Sequence, residues 1–451
     1  MQVEFRDRQP QPDLRSRQRS GWHRYRLLLS WLLVGVLSLS GLLGSGCQAP
    51  RDRAAGEAVR IAIWHGINPP SNRDVFQKLV DRFNQTHPEI EVESLYIGQP
   101  DQQLPKILTA TVGDVPPDLL WFVPSITGQL LELGAIRSLE DWFEQLPVKA
   151  DLDPSLLGTM ELNGRIWSVP MATNNAALFY RPSLFRAAGI DQVPQTWEDL
   201  RQAARTLTQD RNGDGRTDQH GILLSLGTGE WTVFVWLPFI FSAGGDLLQN
   251  GQPQLVNPAI AQALQFGADL VQDGSAVLSA PERGYELDDF IAGRAAMQVT
   301  GPWTFDQLQQ SGIDYDVFPI PPLKEPAAVV GGENLFAFKT SPEREAATLE
   351  FLAYVLSEEF QTTWALETGY LPINLRSRQS DAYQAFVAEH PPLKVFLQQM
   401  DWARSRPIVP GYSRISQNLG RAIESVLLGK REPKTALEEA QARLDLMLGD
   451  L

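Results

Sequence analysis

Near the start of its globular part, the sequence alternates between strand and helix patterns, and this alternation constrains the fold more than any other feature. Val59–Trp64 is a short run of β-forming residues, and Ile90–Tyr96 alternates apolar and polar residues as a half-buried strand does. Asp74–Thr86 and Leu104–Val112 carry apolar residues at helical spacing, and Asp118–Val123 is an apolar strand. This β-α-β-α-β order predicts an α/β fold with a parallel sheet covered by helices.

The length and composition of the chain indicate more than one folded unit. A chain of 451 residues usually forms two or more domains, and 43% hydrophobic with 21% charged residues is enough to build their cores. Thr196, with Asp199 three residues later, predicts the start of a helix that runs to Leu207. Two further helices are predicted at residues 413–430 and 433–448.

Charge is distributed unevenly, and this limits the possible partners. The formal net charge is −15. The part before Cys47 holds seven arginines and three acids, a net of +4, so the remainder carries −19. An acidic body repels nucleic acid and anionic lipid, so we expect neither as a partner. The same charge argues mildly against a highly anionic ligand.

The N-terminal segment has the parts of an export signal. A basic region, Arg15–Arg26, precedes the uncharged apolar run Leu27–Leu43, and small residues follow it. Cys47 comes next and is the only cysteine, so an internal disulfide is excluded. This arrangement resembles a bacterial lipobox, although Gly44 stands where leucine is usual. We predict a lipoprotein signal peptide over residues 1–47, acylation of Cys47 and a tether over residues 48–57.

Two alternatives remain for this segment, an uncleaved membrane anchor and simple secretion. In each case the globular part lies outside the cytoplasmic membrane, because the basic flank stays inside. We therefore expect a periplasmic or extracellular location, with the membrane as a partner through the lipid anchor.

An oxygen-rich loop follows the helix predicted after Thr196. Four side chains fall at positions 1, 3, 5 and 9 of an EF-hand-type calcium loop, and one backbone carbonyl falls at position 7. They are Asp210, Asn212, Asp214, Asp218 and the carbonyl of Arg216. Gly215 occupies the turn. The bidentate glutamate usual at position 12 is replaced by Gly221. A structural calcium ion is therefore one interpretation, and a tight turn that binds nothing is the other.

The sequence contains none of the common catalytic motifs. It has no G-x-S-x-G, HExxH, cysteine–histidine pair or phosphate loop, and His65, His87, His220 and His390 lack metal-binding spacing. Acidic residues are abundant, so a secreted glycoside hydrolase stays a rival hypothesis. A purely structural surface lipoprotein is a third possibility.

Five stretches match a known family in order. They are Gly164–Tyr180 with 185–190 and 194–200, Gly301-Pro302-Trp303 after 295–297, Gly331–Asn334, Thr368–Ile373, and Arg406-Pro407 with Gly411-Tyr412 and the helix beyond. Together they lie within residues 59–448. On these motifs the chain resembles the family 1 extracellular solute-binding proteins, the maltose-binding-protein-like group.

The resemblance implies a periplasmic-binding-protein-like type II fold, in which a hinge of crossing segments joins two α/β lobes around a ligand cleft. One lobe would comprise residues 57–171 plus 330–372, and the other residues 172–329 plus 373–451. Crossings are expected near residues 170–176 and 329–332. We expect the lobes to close on the ligand as a hinge motion.

The resemblance also implies a function. The protein would be a monomeric, non-enzymatic receptor that carries a small saccharide or polyol glycoside to the permease subunits of an ABC importer. Glycerol phosphate or another small solute is the alternative ligand. No catalytic residue and no cofactor are required.

A sugar-binding cleft must replace bound water with hydrogen bonds to hydroxyls and with apolar contact to ring faces. We expect stacking from Trp231, Trp303 and Tyr370, and polar contacts from Asn174, Glu333 and Arg406. Weaker candidates are Trp64, Asp118, Trp121 and Tyr412. Each also has a structural interpretation: an aromatic ring can cover a strand end, a polar side chain near a hinge can join lobes, and Asp118 can start a strand.

Overall fold

The structure, a computed structural model, describes residues 58–98, 100–281, 283 and 285–448. The predicted signal peptide, Cys47 and the whole tether over residues 48–57 lie outside these described residues. None of the described helices is both long enough and apolar enough to cross a lipid bilayer.

The strands are short, and most belong to two five-stranded sheets. In chain order they are β1 Val59–His65, β2 Ile90–Tyr96, β3 Leu119–Phe122, β4 Glu161–Leu162, β5 Arg165–Ile166, β6 Val169–Pro170, β7 Ala177–Tyr180, β8 His220–Leu224, β9 Leu248–Gln249, β10 Gln252–Pro253, β11 Ala276–Leu278, β12 Ala295–Thr300, β13 Asp316–Phe318, β14 Ala328–Val329, β15 Asn334–Ala337 and β16 Ala403–Arg404.

The helices fill the connections between strands and the C-terminal part of the chain. They are α1 Pro70–Thr86, α2 Pro100–Val112, α3 Thr127–Glu132, α4 Glu140–Glu144, α5 Leu157–Met160, α6 Pro182–Ala187, α7 Trp197–Leu207, α8 Glu230–Ser242, α9 Pro258–Gln272, α10 Asp288–Ile291, α11 Phe305–Ser311, α12 Pro342–Val355, α13 Glu358–Thr368, α14 Leu375–Gln379, α15 Asp381–Glu389, α16 Leu393–Gln399, α17 Tyr412–Leu427 and α18 Pro433–Leu448. Four 3-10 turns occur in the described chain, including Pro124–Ile126 and Pro302–Thr304.

The first lobe is built on the sheet with strand order β2-β1-β3-β15-β6. β1 pairs in parallel with β2 and β3, and β15 runs antiparallel to β3 and β6. Alternate residues of β3 face opposite sides of this sheet, as the two-residue period of a strand requires. Leu119 packs with the apolar side of α1, whereas Leu120 packs with Ile107 of α2. The predicted parallel arrangement of the first three strands, covered by helices, is therefore confirmed, and β15 and β6 extend it into a mixed sheet.

The second lobe is built on the sheet with strand order β11-β8-β12-β7-β13. β8 pairs in parallel with β11 and β12, and β7 runs antiparallel to its two neighbours. One face packs against α7, α8, α9 and α17. Helix α8 is buried on every side from Thr232 to Ser242, which explains why its sequence is apolar throughout.

Within the described part of the chain, three segments cross between the lobes and hydrogen-bond to one another. Asn174 of the first segment exchanges backbone hydrogen bonds with Gly331 of the second, and the neighbouring Thr173 exchanges them with Leu371 of the first lobe. Further on, β14 pairs in parallel with β16. The expected crossings near residues 170–176 and 329–332 coincide with the first two segments, and a third crossing lies near β16.

The third crossing occurs later in the chain than the predicted lobe boundary at residue 372. Helices α14 and α15 pack beside α13 of the first lobe, where Tyr383 is fully buried. Only with Phe396 of α16 does the chain reach the second sheet, because that ring contacts Phe179 of β7. Residues 373–389 therefore pack with the first lobe.

The predicted start of α7 is confirmed. The Thr196 hydroxyl accepts a hydrogen bond from the Asp199 amide at 3.1 Å, and the Asp199 carboxylate accepts one from the Thr196 amide at 3.0 Å. This reciprocal cap satisfies two backbone groups that a helix otherwise leaves without partners.

Candidate ligand-binding cleft

The crossing segments meet at a pocket between the lobes. Its walls include Pro124 and Ser125 from the first lobe, Gly331 and Gly332 from the second crossing, and Arg406 from the third. The pocket thus lies where movement of one lobe relative to the other would open or close it.

A row of aromatic rings extends across the lobe boundary. Trp231, in the first turn of α8, meets Trp303 edge-to-face with ring centroids 5.9 Å apart. Trp303 in turn lies 6.4 Å from Tyr370 of the first lobe. Tyr285 and Trp364 extend the row at its two ends. The structure therefore brings the three predicted stacking residues together.

Two glycines allow the turns carrying this row to approach closely. A Cβ atom on Gly301 would lie 2.0 Å from Cζ3 of Trp303, so only glycine lets this indole fold back over its own turn. Gly369 has φ +76° and ends α13, and a Cβ there would lie 2.6 Å from the carbonyl oxygen of Pro302. The Tyr370 turn of one lobe thus rests directly on the Trp303 turn of the other.

Arg406 is held by a buried network within the second lobe. Its Nη1 donates to Glu230 Oε1 at 2.9 Å, and its guanidinium carbon lies 5.1 Å from the centre of the Phe234 ring. The Tyr412 hydroxyl also donates to Glu230 Oε1 at 2.9 Å, and the Ser416 hydroxyl donates to Oε2. Burial acts to lower the pKa of Arg406, but the adjacent Glu230 contributes to a net rise. Its charge is therefore already paired.

Glu333 brings a second carboxylate to the same place from the first lobe. It directly precedes β15, and its backbone carbonyl accepts a hydrogen bond from the Met171 amide. Burial raises the pKa of its carboxyl from 4.5 to about 7, and the positive charge of Arg406 opposes that rise. Burial also raises the pKa of Tyr370, and the Glu333 charge adds to this effect. The Glu333 carboxyl is therefore coupled electrostatically both to the guanidinium and to Tyr370 of the aromatic row.

Buried polar atoms on Glu333 and Trp231 lack partners. Glu333 Oε2 and Trp231 Nε1 make no hydrogen bond to any part of the chain that the structure describes. One is an acceptor and the other a donor, and leaving such atoms unpaired is costly. Because a hydroxyl group can both donate and accept, a polyhydroxylated ligand suits this pair of atoms.

Asn174 lies in the crossing itself. Asn174 is 4% exposed, and its backbone forms two hydrogen bonds with the backbone of Gly331, at 2.8 and 3.3 Å. This placement fits the structural interpretation, in which the residue joins two crossing segments.

Of the remaining predicted contacts, three lie at the two edges and in the interior of the first sheet, and Tyr412 lies in the second lobe. Trp64 is half-buried near the carboxyl end of β1, the edge at which ligands of such sheets bind. Trp121 is buried in the core. Asp118 precedes β3 at the opposite edge, where its Oδ2 accepts from the Ala62 amide and from Arg344. Asp118 thus takes the structural role of starting a strand, and Tyr412 contributes by holding Glu230.

Sequence reasoning missed Glu230, which links three other residues of the cluster, Arg406, Tyr412 and Ser416. The available signal was its position beside Trp231 in the first turn of α8. Its partner Arg406 is 176 residues away along the chain, so their pairing could not be read from spacing.

The oxygen-rich loop lies between α7 and β8, and its oxygens bind the loop's own backbone. Asp210 accepts amide hydrogen bonds from Gly213 at 2.7 Å and Gly215 at 2.8 Å, and these lower its pKa. Asp218 Oδ2 accepts from the Arg211 amide at 2.8 Å. Among residues 58–98, 100–281, 283 and 285–448, no group of three or more His, Cys, Asp or Glu side chains is arranged to hold a metal ion. The proposed calcium ion stays a prediction.

Residues 78–391 match the family described as bacterial extracellular solute-binding protein. A binding protein of Brucella abortus is 25% identical over 320 residues, covering 69% of this chain and 73% of the relative. The sn-glycerol-3-phosphate-binding periplasmic protein UgpB of Brucella abortus is 23% identical over 436 residues, covering 93% and 97%.

Solved structures with the same fold include a sugar-binding protein and a UgpB protein. The cyclic alpha-maltosyl-1,6-maltose binding protein from Arthrobacter globiformis superposes with a TM-score of 0.74 at 25% identity, covering 87% of this chain and all of that one. UgpB from Mycobacterium tuberculosis in complex with glycerophosphocholine gives a TM-score of 0.77 at 22% identity, with 87% and 99% coverage.

Proposed function

Because this chain belongs to the bacterial extracellular solute-binding proteins and has their two-lobed type II fold, we propose that it captures a small saccharide or polyol glycoside for an ABC importer. The observation that carries the proposal is the cleft itself. Aromatic rings from both lobes lie beside a buried carboxyl oxygen and an indole N–H that lack partners.

This arrangement matches the two needs of sugar recognition. Ring C–H faces gain apolar contact from the row formed by Trp231, Trp303 and Tyr370. Hydroxyl groups gain partners in Glu333 and Trp231, which replace the water removed on binding. The support for a sugar-like ligand is thus the combination of flat apolar surface with buried hydrogen-bonding atoms.

Binding would be coupled to the relative position of the lobes. Trp231 and Trp303 belong to the second lobe, whereas Tyr370 and Glu333 belong to the first. A ligand that contacts both sets gains its full contact energy only when the lobes are together, so it shifts the population toward the closed state. The permease would then recognise that state, and no bond of the ligand would be broken.

The test is a thermal-shift and calorimetric screen with maltose, other disaccharides, glucosylglycerol and sugar alcohols. We expect at least one to raise Tm and to be recovered unchanged on chromatography. Trp303→Ala should weaken binding of that compound by about 100-fold, since an aromatic anchor shared by both lobes is lost.

Trp142→Ala is the matched control, because Trp142 is a half-buried indole of α4 that packs on the first-lobe core away from the row. It should lower Tm without changing affinity. If no saccharide or polyol binds, or if product is released instead, the receptor proposal fails.

The same proposal includes the N-terminal segment. An acylated Cys47 with residues 48–57 as tether would hold a monomeric receptor at the outer face of the cytoplasmic membrane, close to the permease. Support comes from the export-signal pattern and from the extracellular location of the family. Cys47→Ser should release the protein from the membrane fraction into the soluble fraction.

A further inference from the structure

The cleft contains two carboxylates but one guanidinium, and all three groups have little exposure. The Arg406 side chain is 8% exposed and that of Glu230 is 21% exposed. Glu333 adds the second carboxyl, with a buried oxygen that has no partner in the described chain. The charge balance of this cluster bears directly on which ligands the cleft accepts, provided that the proposed function holds.

A buried arginine at a cleft is the usual means of binding a phosphate group, because its planar fork pairs with two oxygens. Here the guanidinium charge is already paired with a carboxylate through Nη1. Glu230 accepts from Arg406 at 2.9 Å, and Tyr412 and Ser416 fix the glutamate through their hydroxyls. All of these partners lie in the second lobe, so the pairing does not depend on closure of the lobes.

Glu333 approaches the same guanidinium from the first lobe, and its charge contributes to the raised pKa of Arg406. With both carboxyls ionised, the cluster has a net charge of −1. An anion bound at Arg406 would therefore be repelled by both carboxylates. In a poorly solvated site, two like charges within a few ångströms repel strongly.

We infer that the cleft selects an uncharged polyhydroxylated ligand and rejects phosphate esters, with Glu230 and Glu333 as the residues that set this selection. Glu333 accepts a ligand hydroxyl, and Glu230 prevents Arg406 from acting as an anion site. Charge selection is therefore built from two carboxylates on opposite lobes around one arginine.

The test compares two probes that share a glycerol unit, glucosylglycerol and sn-glycerol 3-phosphate, at pH 7.5. We expect sn-glycerol 3-phosphate to bind the wild-type protein at least about 100-fold more weakly than the uncharged probe, or than the saccharide found in the screen. Glu230→Gln keeps a hydrogen-bonding side chain for Tyr412 and Ser416 but frees the guanidinium. It should gain binding of sn-glycerol 3-phosphate and of inorganic phosphate by at least tenfold.

Glu333→Gln is the second variant, because it removes the other negative charge and retains an acceptor for a hydroxyl. It should also bind sn-glycerol 3-phosphate more tightly than the wild-type protein does. Tight binding of sn-glycerol 3-phosphate by the wild-type protein would overturn the inference and leave the receptor function standing. So would a Glu230→Gln variant that folds and gains no affinity for phosphate. Absence of binding by every polyol, charged or uncharged, would instead overturn the proposed function.

Discussion

Two oxygen-rich regions of this protein have opposite characters. The loop from Asp210 to Asp218 is exposed, and its carboxylates accept hydrogen bonds from the loop's own amides. The cleft cluster around Arg406 is buried and includes a Glu333 oxygen without a partner in the described chain. Oxygen content alone therefore does not identify a binding site. The cleft differs from this loop because its polar atoms are buried and lack hydrogen-bond partners, whereas the loop oxygens accept hydrogen bonds from the loop's own amides.

The largest expected effect is the contribution of the cleft cluster to the pH dependence of stability. The native state holds the Glu333 proton up to about pH 7, whereas an unfolded glutamate releases it near its ordinary pKa of 4.5. The free energy of unfolding should therefore fall as pH rises from about 4.5 to about 7. Above about pH 7, Glu333 should cause no further change in stability. Glu333→Gln removes this contribution and should stabilise the protein by about 3 kcal/mol at pH 8 relative to wild type.

Denaturant unfolding at pH 5 and pH 8 measures this effect. The exposed Glu325 provides the control, because Glu325→Gln should change stability equally at both values. If Glu333→Gln and the wild-type protein keep the same stability difference from pH 5 to pH 8, Glu333 is not held in a desolvated site.

A smaller effect is expected where the lobes touch. Gly369→Ala forces a side chain into a left-handed conformation and directs its Cβ at the Pro302 carbonyl of the other lobe. The strain should cost about 1 kcal/mol of stability, and the clash should weaken ligand binding by about tenfold. Gly134→Ala is a suitable comparison, since that glycine also has positive φ but would meet no atom within 4 Å. Gly134→Ala should lose stability and keep its affinity for the ligand. An equal loss of ligand affinity in both variants would refute a role for the contact between the Gly369 turn and Pro302.

The smallest effect is expected in the exposed loop. Asp214→Asn keeps the oxygen that accepts from the Arg216 amide at 2.8 Å, so stability without calcium should change by no more than about 0.5 kcal/mol. If the loop binds calcium, millimolar calcium should raise Tm of the wild-type protein and not that of Asp214→Asn. An identical response of both proteins to calcium would remove the calcium interpretation.

Local patterns in the sequence predicted much of the fold. The strand at Ile90–Tyr96 has the predicted bounds, and the cap at Thr196 has the predicted partner. Helix α1 begins at Pro70, earlier than the apolar pattern at Asp74 indicated, because proline readily occupies the first turn of a helix. These features depend on neighbouring residues, which sequence reasoning can evaluate.

Contacts between residues far apart in the chain could not be predicted from the sequence. The extended run Arg165–Tyr180 is divided among three strands, β5, β6 and β7, because each finds its partner in a different part of the chain. The cleft shows the same limit, since the rings of Trp231, Trp303 and Tyr370 were predictable as types but Glu230 was not. Its role is defined by Arg406, Tyr412 and Ser416, which fold back from the C-terminal region.

The mutual hydrogen bonding of the three crossing segments has a mechanical consequence. Asn174 is hydrogen-bonded to Gly331, and Val330 to Arg404, so the connections behave as one narrow ribbon instead of three independent linkers. A ribbon bends easily across its width but resists shear and extension, because either would break several hydrogen bonds at once. The lobes should consequently rotate about a single hinge axis. A permease could then distinguish the ligand-bound from the ligand-free protein by one inter-lobe angle.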